Sequence, residues 1–248
     1  MNLLIDFGNT RLKWASLDDG EVRPGGVFAH QQQALAAAAS KDWLALPRRP
    51  DAVLVASVVG DARETELTAL CRSVFNLDPV WLKTPRTALG VQNGYREPQH
   101  LGIDRFLAML AMHVKSPRAQ VVVSCGTALT LDALDEDGQH HGGLILASPD
   151  LMRNSLRSAT ARLAGPSGKL VEIATSTGDA IQSGALLAAV ALIERFRRHT
   201  AAKLGAIPAI VLSGGGSAEL SSWLPDSERH ADLVLHGLAR WAEAGVNG

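Results

Sequence analysis

Leu3-Leu4-Ile5-Asp6-Phe7-Gly8-Asn9-Thr10-Arg11-Leu12-Lys13 opens the chain with an apolar run, a polar turn and a return to apolar spacing. A short continuous apolar run bounded by turn residues fits a buried strand. Asp6 to Thr10 supplies turn chemistry, and residues 12–17 resume a strand-like pattern. The acid thus stands at the end of a buried strand, where α/β folds place ligands. Gly8 lets a backbone approach an anion closely. Asn9 and Thr10 offer donors, and Lys13 adds a positive charge one short strand further on. Asp6 can hold a magnesium ion or its waters, since Mg²⁺ favours a carboxylate or two together with substrate phosphates. An ordinary hairpin turn uses the same residues, so the stretch gains meaning from what repeats it.

The repeat lies in the second half. Residues 120–124 carry Val121-Val122-Val123, Cys125-Gly126-Thr127 is a turn, and residues 129–134 alternate as a strand. Gly126 and Thr127 can bond phosphate oxygens as Gly8 and Thr10 would. Both halves therefore open with strand, small polar turn, strand. A linker near Lys115-Ser116-Pro117 predicts two domains, 1–115 and 116–248. Helical composition or spacing is found over 31–40, 61–74, 101–114, 151–163, 178–200 and 233–244. Strands are expected over 52–59, 80–82, 143–147 and 207–212, with Asp135 to Gly138 as a hairpin turn and 84–100 as loop. Strands mixed with helices in both halves predict an α/β architecture.

Two further stretches carry chemistry. Ser213-Gly214-Gly215-Gly216 follows the strand at 207–212 and precedes Ser217-Ala218-Glu219. Glycines at a strand's carboxyl end let a nucleotide base and ribose lie flat on backbone, although a plain flexible loop reads the same way. The block from Asn93 to Arg105 holds Tyr95, the sole tyrosine, and ends in Gly102-Ile103-Asp104-Arg105 at a helix start. There the helix dipole favours an ionised Asp104. A carboxylate so placed can accept a hydroxyl proton during phosphoryl transfer, and Arg105 can grip a carboxylate or phosphate at two points. Taken alone, Asp-Arg at a helix start is also an ordinary surface ion pair.

Bulk properties narrow the class. The chain has 248 residues, 46% of them hydrophobic and 20% charged, as in a soluble globular protein. A net charge of −1 provides no field to gather nucleic acid or anionic membrane. The basic stretch Arg195, Arg197, Arg198, His199 reads as a solvated helix face. The longest apolar stretch, 184–193, falls short of the roughly 20 residues that span a bilayer. Asp6 comes too early for a signal peptide. Cys71 and Cys125 match no metal spacing, and a reduced cytoplasmic setting suits them. The P-loop pattern Gly-x-x-x-x-Gly-Lys-Ser/Thr does not occur.

In their order these pieces resemble the type III pantothenate kinases. The resembling set is Asp6 to Lys13, Tyr95 with Gly102-Ile103-Asp104-Arg105, Gly126-Thr127-Ala128, His141 to Ile145, Ser176 to Ile181, the glycines at 214–216, and Asp232 to Leu238. It covers nearly the whole chain, and its order is specific although each piece is weak. The resemblance implies two ribonuclease H-like, actin-like ATPase domains with a central ATP cleft, the plan of the acetate and sugar kinase, Hsp70 and actin superfamily. It implies ATP-dependent phosphorylation of pantothenate, the first step toward coenzyme A. Asp6, Phe7, Gly8, Asn9, Thr10, Arg11, Leu12 and Lys13 would form the first ATP phosphate motif, with Thr127 contacting ATP in the second. Tyr95, Gly102, Ile103, Asp104, Arg105 and Thr177 would bind pantothenate, Asp104 accepting the proton of its primary hydroxyl. ATP with Mg²⁺, a monovalent cation (K⁺ or NH₄⁺) and a homodimer complete the implied set.

The sequence departs from that pattern twice. Ser124 stands where the family commonly has an acid that helps hold the monovalent cation, and a neutral serine oxygen is a weaker ligand for it. Asp150 follows Ala147-Ser148-Pro149 where many members have a Pro-Gly turn. The residues alone also leave room for a kinase of the same superfamily acting on another small alcohol, or for an ATP-binding regulator without catalysis.

Overall fold

The computed structural model describes residues 1–29, 35–159 and 168–245. The helices expected over 31–40 and 151–163 thus lie partly outside the described residues.

The first sheet comprises β1 (Asn2–Phe7), β2 (Arg11–Asp18), β3 (Glu21–Ala29), β4 (Ala52–Ser57) and β5 (Val80–Trp81), in the order β3-β2-β1-β4-β5. β1 pairs antiparallel with β2 and parallel with β4. Its apolar run is continuous because both faces are covered. Leu3, Ile5 and Phe7 join a core with Trp43 of α1 (Leu35–Leu44) and with Leu67, Cys71 and Phe75 of α2 (Asp61–Phe75). Each large apolar side chain buried this way contributes about 1.5–3 kcal/mol. The other face is covered by α3 (Ile103–Lys115) and the last helix, α7 (Leu233–Glu243). Residues 84–100 hold a small ribbon of β6 (Thr87–Ala88) and β7 (Val91–Gln92), then a 3₁₀ turn at Pro98–His100. Strand β3 was not anticipated, because Pro24-Gly25-Gly26 reads as a loop. An edge strand tolerates such residues, and Gly25 lies so close to the Trp14 ring that a Cβ there would meet it at 2.3 Å.

The second sheet comprises β8 (Gln120–Cys125), β9 (Ala128–Leu134), β10 (His140–Ala147), β11 (Ala209–Ser213) and β12 (Ser227–Arg229), in the order β10-β9-β8-β11-β12. β8 pairs antiparallel with β9 and parallel with β11, so order and directions repeat those of the first sheet. Helices α4 (Pro149–Ala159), α5 (Thr177–Leu204) and α6 (Ser217–Ser221) accompany it. Leu186, Ala189 and Ile193 of α5 pack on Val121, Val123, Leu129 and Leu131. α5 starts where the Ser176 hydroxyl accepts the Asp179 amide at 3.2 Å and stops at Gly205, whose φ is 68°. These are the usual start and stop signals of a helix.

Contacts divide the chain into two compact units, Met1–Ser116 with Asp232–Gly248, and Pro117–Ala231. The division expected at 115/116 placed the last segment in the second half; it belongs instead to the first unit. α7 buries Leu235, Leu238 and Trp241. Gly237 sits so close to α3 that a Cβ would lie 2.3 Å from the Leu107 carbonyl oxygen. Phe106 and Trp241 meet edge to face with ring centres 6.4 Å apart. Among the described residues no helix is long and apolar enough to cross a membrane.

Candidate active site

In the first unit the β1–β2 hairpin is closed by the Gly8 amide, which donates to the Arg11 carbonyl at 3.1 Å. This closure sets Asp6 opposite Lys13. Residues directly opposite in an antiparallel pair share a face with Cβ atoms about 5 Å apart. The Lys13 ammonium donates to Asp232 Oδ1 at 2.8 Å. Asp232 is a non-glycine residue with φ 51° and ψ 39°, immediately ahead of α7. Its own carbonyl accepts the His236 amide at 3.1 Å.

Asp104 lies in the first turn of α3, behind Gly102 at the N-cap. A Cβ on Gly102 would come 2.5 Å from Asp104 Oδ1, so the glycine leaves room for the carboxylate. Asp6 registers the crowding of charge. Its carboxyl is pushed up to about 7, chiefly by removal from water; Lys13 opposes this, and the like charges of Asp104 and Asp232 add to it. Asp6, Lys13, Asp104 and Asp232 therefore form one electrostatic cluster.

Beside Asp104, Arg105 is buried. Its Nη1 donates to Tyr95 Oη at 2.9 Å, and its guanidinium carbon lies 5.6 Å from the Tyr95 ring centre. The loop carrying Tyr95 is irregular but tightly held. Arg86 donates to the carbonyls of Asn93, Tyr95 and Arg96 at 3.1, 2.6 and 2.7 Å. Asn93 donates to the Pro98 carbonyl at 3.0 Å and accepts the Tyr95 amide at 3.0 Å. Of the other residues expected here, Phe7 and Leu12 are fully buried in the first core, Ile103 is buried, and Asn9 and Arg11 are exposed.

In the second unit the Gly126 amide donates to the Ala128 carbonyl at 2.9 Å and leaves Thr127 exposed at the hairpin tip. The glycine run seats itself on this hairpin. Gly216 donates to the Cys125 carbonyl at 3.0 Å. A Cβ on Gly214, whose φ is 84°, would lie 2.4 Å from the Cys125 carbonyl oxygen, and one on Gly216 would lie 2.3 Å from its Sγ. Burial pushes the Cys125 thiol up to about 11, so it is an inert packing residue. Ser124 sits in register with Thr130 on one side and Ser213 on the other, three small hydroxyl residues side by side. Asp150 opens α4 and pairs at 3.0 Å with Arg153, a buried cation that also holds Glu219 at 2.7 Å. Thr177 is exposed at the first position of α5.

The first unit thus gathers the expected Asp6, Lys13 and Asp104 and joins Arg105 to Tyr95; the second gathers Ser124, Thr127 and the glycine run. The type III pantothenate kinase family model matches residues 2–199. A type III pantothenate kinase of Stenotrophomonas maltophilia is 39% identical over 239 residues, covering 96% of each chain. The corresponding protein of Xanthomonas campestris pv. campestris is 41% identical over 241 residues, again covering 96% of each.

The chain belongs to the type III pantothenate kinases.

Two solved structures share the α/β fold of this kinase. A Campylobacter jejuni protein described as a Baf family transcriptional activator superposes with a TM-score of 0.64 at 18% identity over 98% of both chains. A Sinorhizobium meliloti protein described as a 2-dehydro-3-deoxygalactonokinase gives 0.57 at 14% identity over 98% of this chain and 99% of that one. At such identities the likeness concerns the fold alone. Asp232 of this kinase carries no local signal of its role, although the ending that contains it is part of the resemblance.

Proposed function

We propose the following roles for the reaction that family membership carries, ATP-dependent phosphorylation of pantothenate in coenzyme A biosynthesis. Asp104 accepts the proton of the primary hydroxyl as it attacks the γ-phosphorus. Its position in the first turn of α3 supports this, since the helix dipole favours a carboxylate there. Arg105, steadied by the Tyr95 hydroxyl, binds the carboxylate of pantothenate, with Gly102 and Ile103 shaping the backbone around it; Thr177 contributes from α5. The Asp6 to Lys13 hairpin, Thr127 and the glycine run at 214–216 take ATP.

Magnesium fits Asp6. Desolvation and two neighbouring acids make its ionised form costly, and a divalent cation relieves that cost. When bound with ATP the ion neutralises phosphate charge; Asp6 holds it or its waters, and Lys13 offers a second positive charge. Ser124, Thr130 and Ser213 provide neutral oxygens only, which suit a weakly held monovalent cation, potassium or ammonium.

The homodimer is supported by apolar side chains left exposed in the second unit, Leu144 and Ile145 on β10 and Leu151 and Leu156 on α4. Two free, buried cysteines support a cytoplasmic setting. The observation that carries the whole reading is the meeting of Asp6, Lys13 and Asp104 beside the buried Arg105. ADP release by purified protein with ATP, magnesium and pantothenate tests it. Turnover that requires pantothenate is expected; intact ATP binding without turnover would overturn it.

A further inference from the structure

Lys13 has two acids near its ammonium. Asp6 faces it across the hairpin rung, and Asp232 reaches it from a segment 219 residues further along the chain. The bond goes to Asp232 at 2.8 Å, with both side chains partly shielded from solvent. Asp232 is held in place from behind. Its backbone adopts φ 51°, a left-handed conformation that Asp and Asn tolerate better than most residues. Its carbonyl starts α7 by accepting the His236 amide. α7 in turn is fixed on α3 by the close approach of Gly237 to Leu107. The helix whose first turn carries Asp104 and the acid that anchors Lys13 therefore belong to one packed pair.

We infer that Asp232 is a positioning residue for ATP: it draws the Lys13 ammonium away from Asp6, keeping Lys13 extended toward the phosphates and leaving the Asp6 carboxylate open to the metal or its waters. A lysine without this anchor would close on the acid opposite it, and both groups would be lost to ATP at once. Asp232 acts chiefly through Lys13; its charge also bears on Asp6, weakly beside the loss of water around that acid. The inference rests on the phosphate role proposed above for the first hairpin.

A double-mutant cycle tests it, because coupling separates action through a partner from independent effects. The proteins are wild type, Lys13→Met, Asp232→Asn and the double variant. Asparagine keeps the left-handed backbone and removes only the charge. Asp232→Asn is expected to lower kcat/KM for MgATP about tenfold, the order of one charge-assisted hydrogen bond, with KM for pantothenate unchanged. In the Lys13→Met background the same substitution should lose most of its effect, leaving at most about a twofold change through its charge on Asp6. Additive losses, or a rise in KM for pantothenate alone, would overturn the inference. Asp232→Gly relaxes the backbone and must show the same coupling; a loss with Asn that Gly does not share also overturns it. If wild type shows no turnover with pantothenate, the proposed function fails instead. MgATP stabilisation of the same four proteins in thermal unfolding then still reads the coupling, additive shifts again counting against the inference.

Discussion

Asp6 and Lys13 are directly opposite partners on β1 and β2, yet the lysine ammonium is bonded to Asp232. The site therefore holds a carboxylate whose nearest cation in register is engaged elsewhere, and its carboxyl is pushed up to about 7.

That shift has a sign. A folded-state value above the usual 3.8 means that the folded chain keeps a proton the unfolded chain has already lost between those limits. Stability is undiminished below about pH 4 and is lost as pH rises through about 7. Asp6→Asn should thus stabilise the ligand-free protein at pH 8 and hardly at pH 4, by at most a few kcal/mol at about 1.4 kcal/mol per pKa unit. Thermal unfolding at the two pH values checks this; equal shifts at both would contradict it.

Arg105 is buried and donates to Tyr95 at 2.9 Å. Lysine cannot reproduce a planar, two-point grip on a carboxylate. Arg105→Lys should raise KM for pantothenate about tenfold or more while KM for ATP stays within about twofold, since the two groups are not interchangeable at such sites. Steady-state kinetics with each substrate varied in turn settles it, and an effect confined to ATP would remove Arg105 from the pantothenate site.

The glycine run is tested against a glycine that has room. Gly214→Ala must place a Cβ 2.4 Å from the Cys125 carbonyl oxygen at a φ of 84°. It should cost about 2 kcal/mol or more and weaken ATP binding, as strained backbone positions do. Gly184 lies within α5 with nothing near its Cβ position. Gly184→Ala should instead stabilise by about 0.5–1 kcal/mol. Denaturant unfolding of the two variants gives the comparison, and equal effects would show that the approach to Cys125 is not what fixes Gly214.

Ser124, Thr130 and Ser213 form a row of neutral oxygens at the proposed monovalent-cation site. Removing potassium should change turnover less than about threefold, and Ser124→Asp should increase that dependence, because ligand charge sets the affinity of hard cations. A large potassium requirement in the wild type would place the cation on other ligands.

Much of this was legible in the sequence. Asp6 to Lys13 and Ser124 to Thr130 stood out because apolar runs and turn residues are local signals, and both proved to be β-hairpins at the centre of identically ordered sheets. Helices were expected over 101–114 and 178–200, and they run over Ile103–Lys115 and Thr177–Leu204, the second starting one residue earlier at Thr177. What escaped was non-local. Asp232 meets Lys13 only because α7 leaves the second unit and packs on α3, and no local pattern announces a pairing over 219 residues. Strand β3 escaped because Pro24-Gly25-Gly26 is loop chemistry until Trp14 covers it. The rigidity of the Tyr95 loop escaped for the same reason, since the Arg86 bonds to three carbonyls depend on the fold.

Asp104 is the proposed base for the pantothenate hydroxyl proton. The most direct measurement is kcat of Asp104→Asn with saturating ATP, magnesium and pantothenate, alongside pantothenate binding. A fall on the order of 10²-fold or more, with binding retained, is predicted for loss of a general base. Wild-type kcat in that variant would contradict the account.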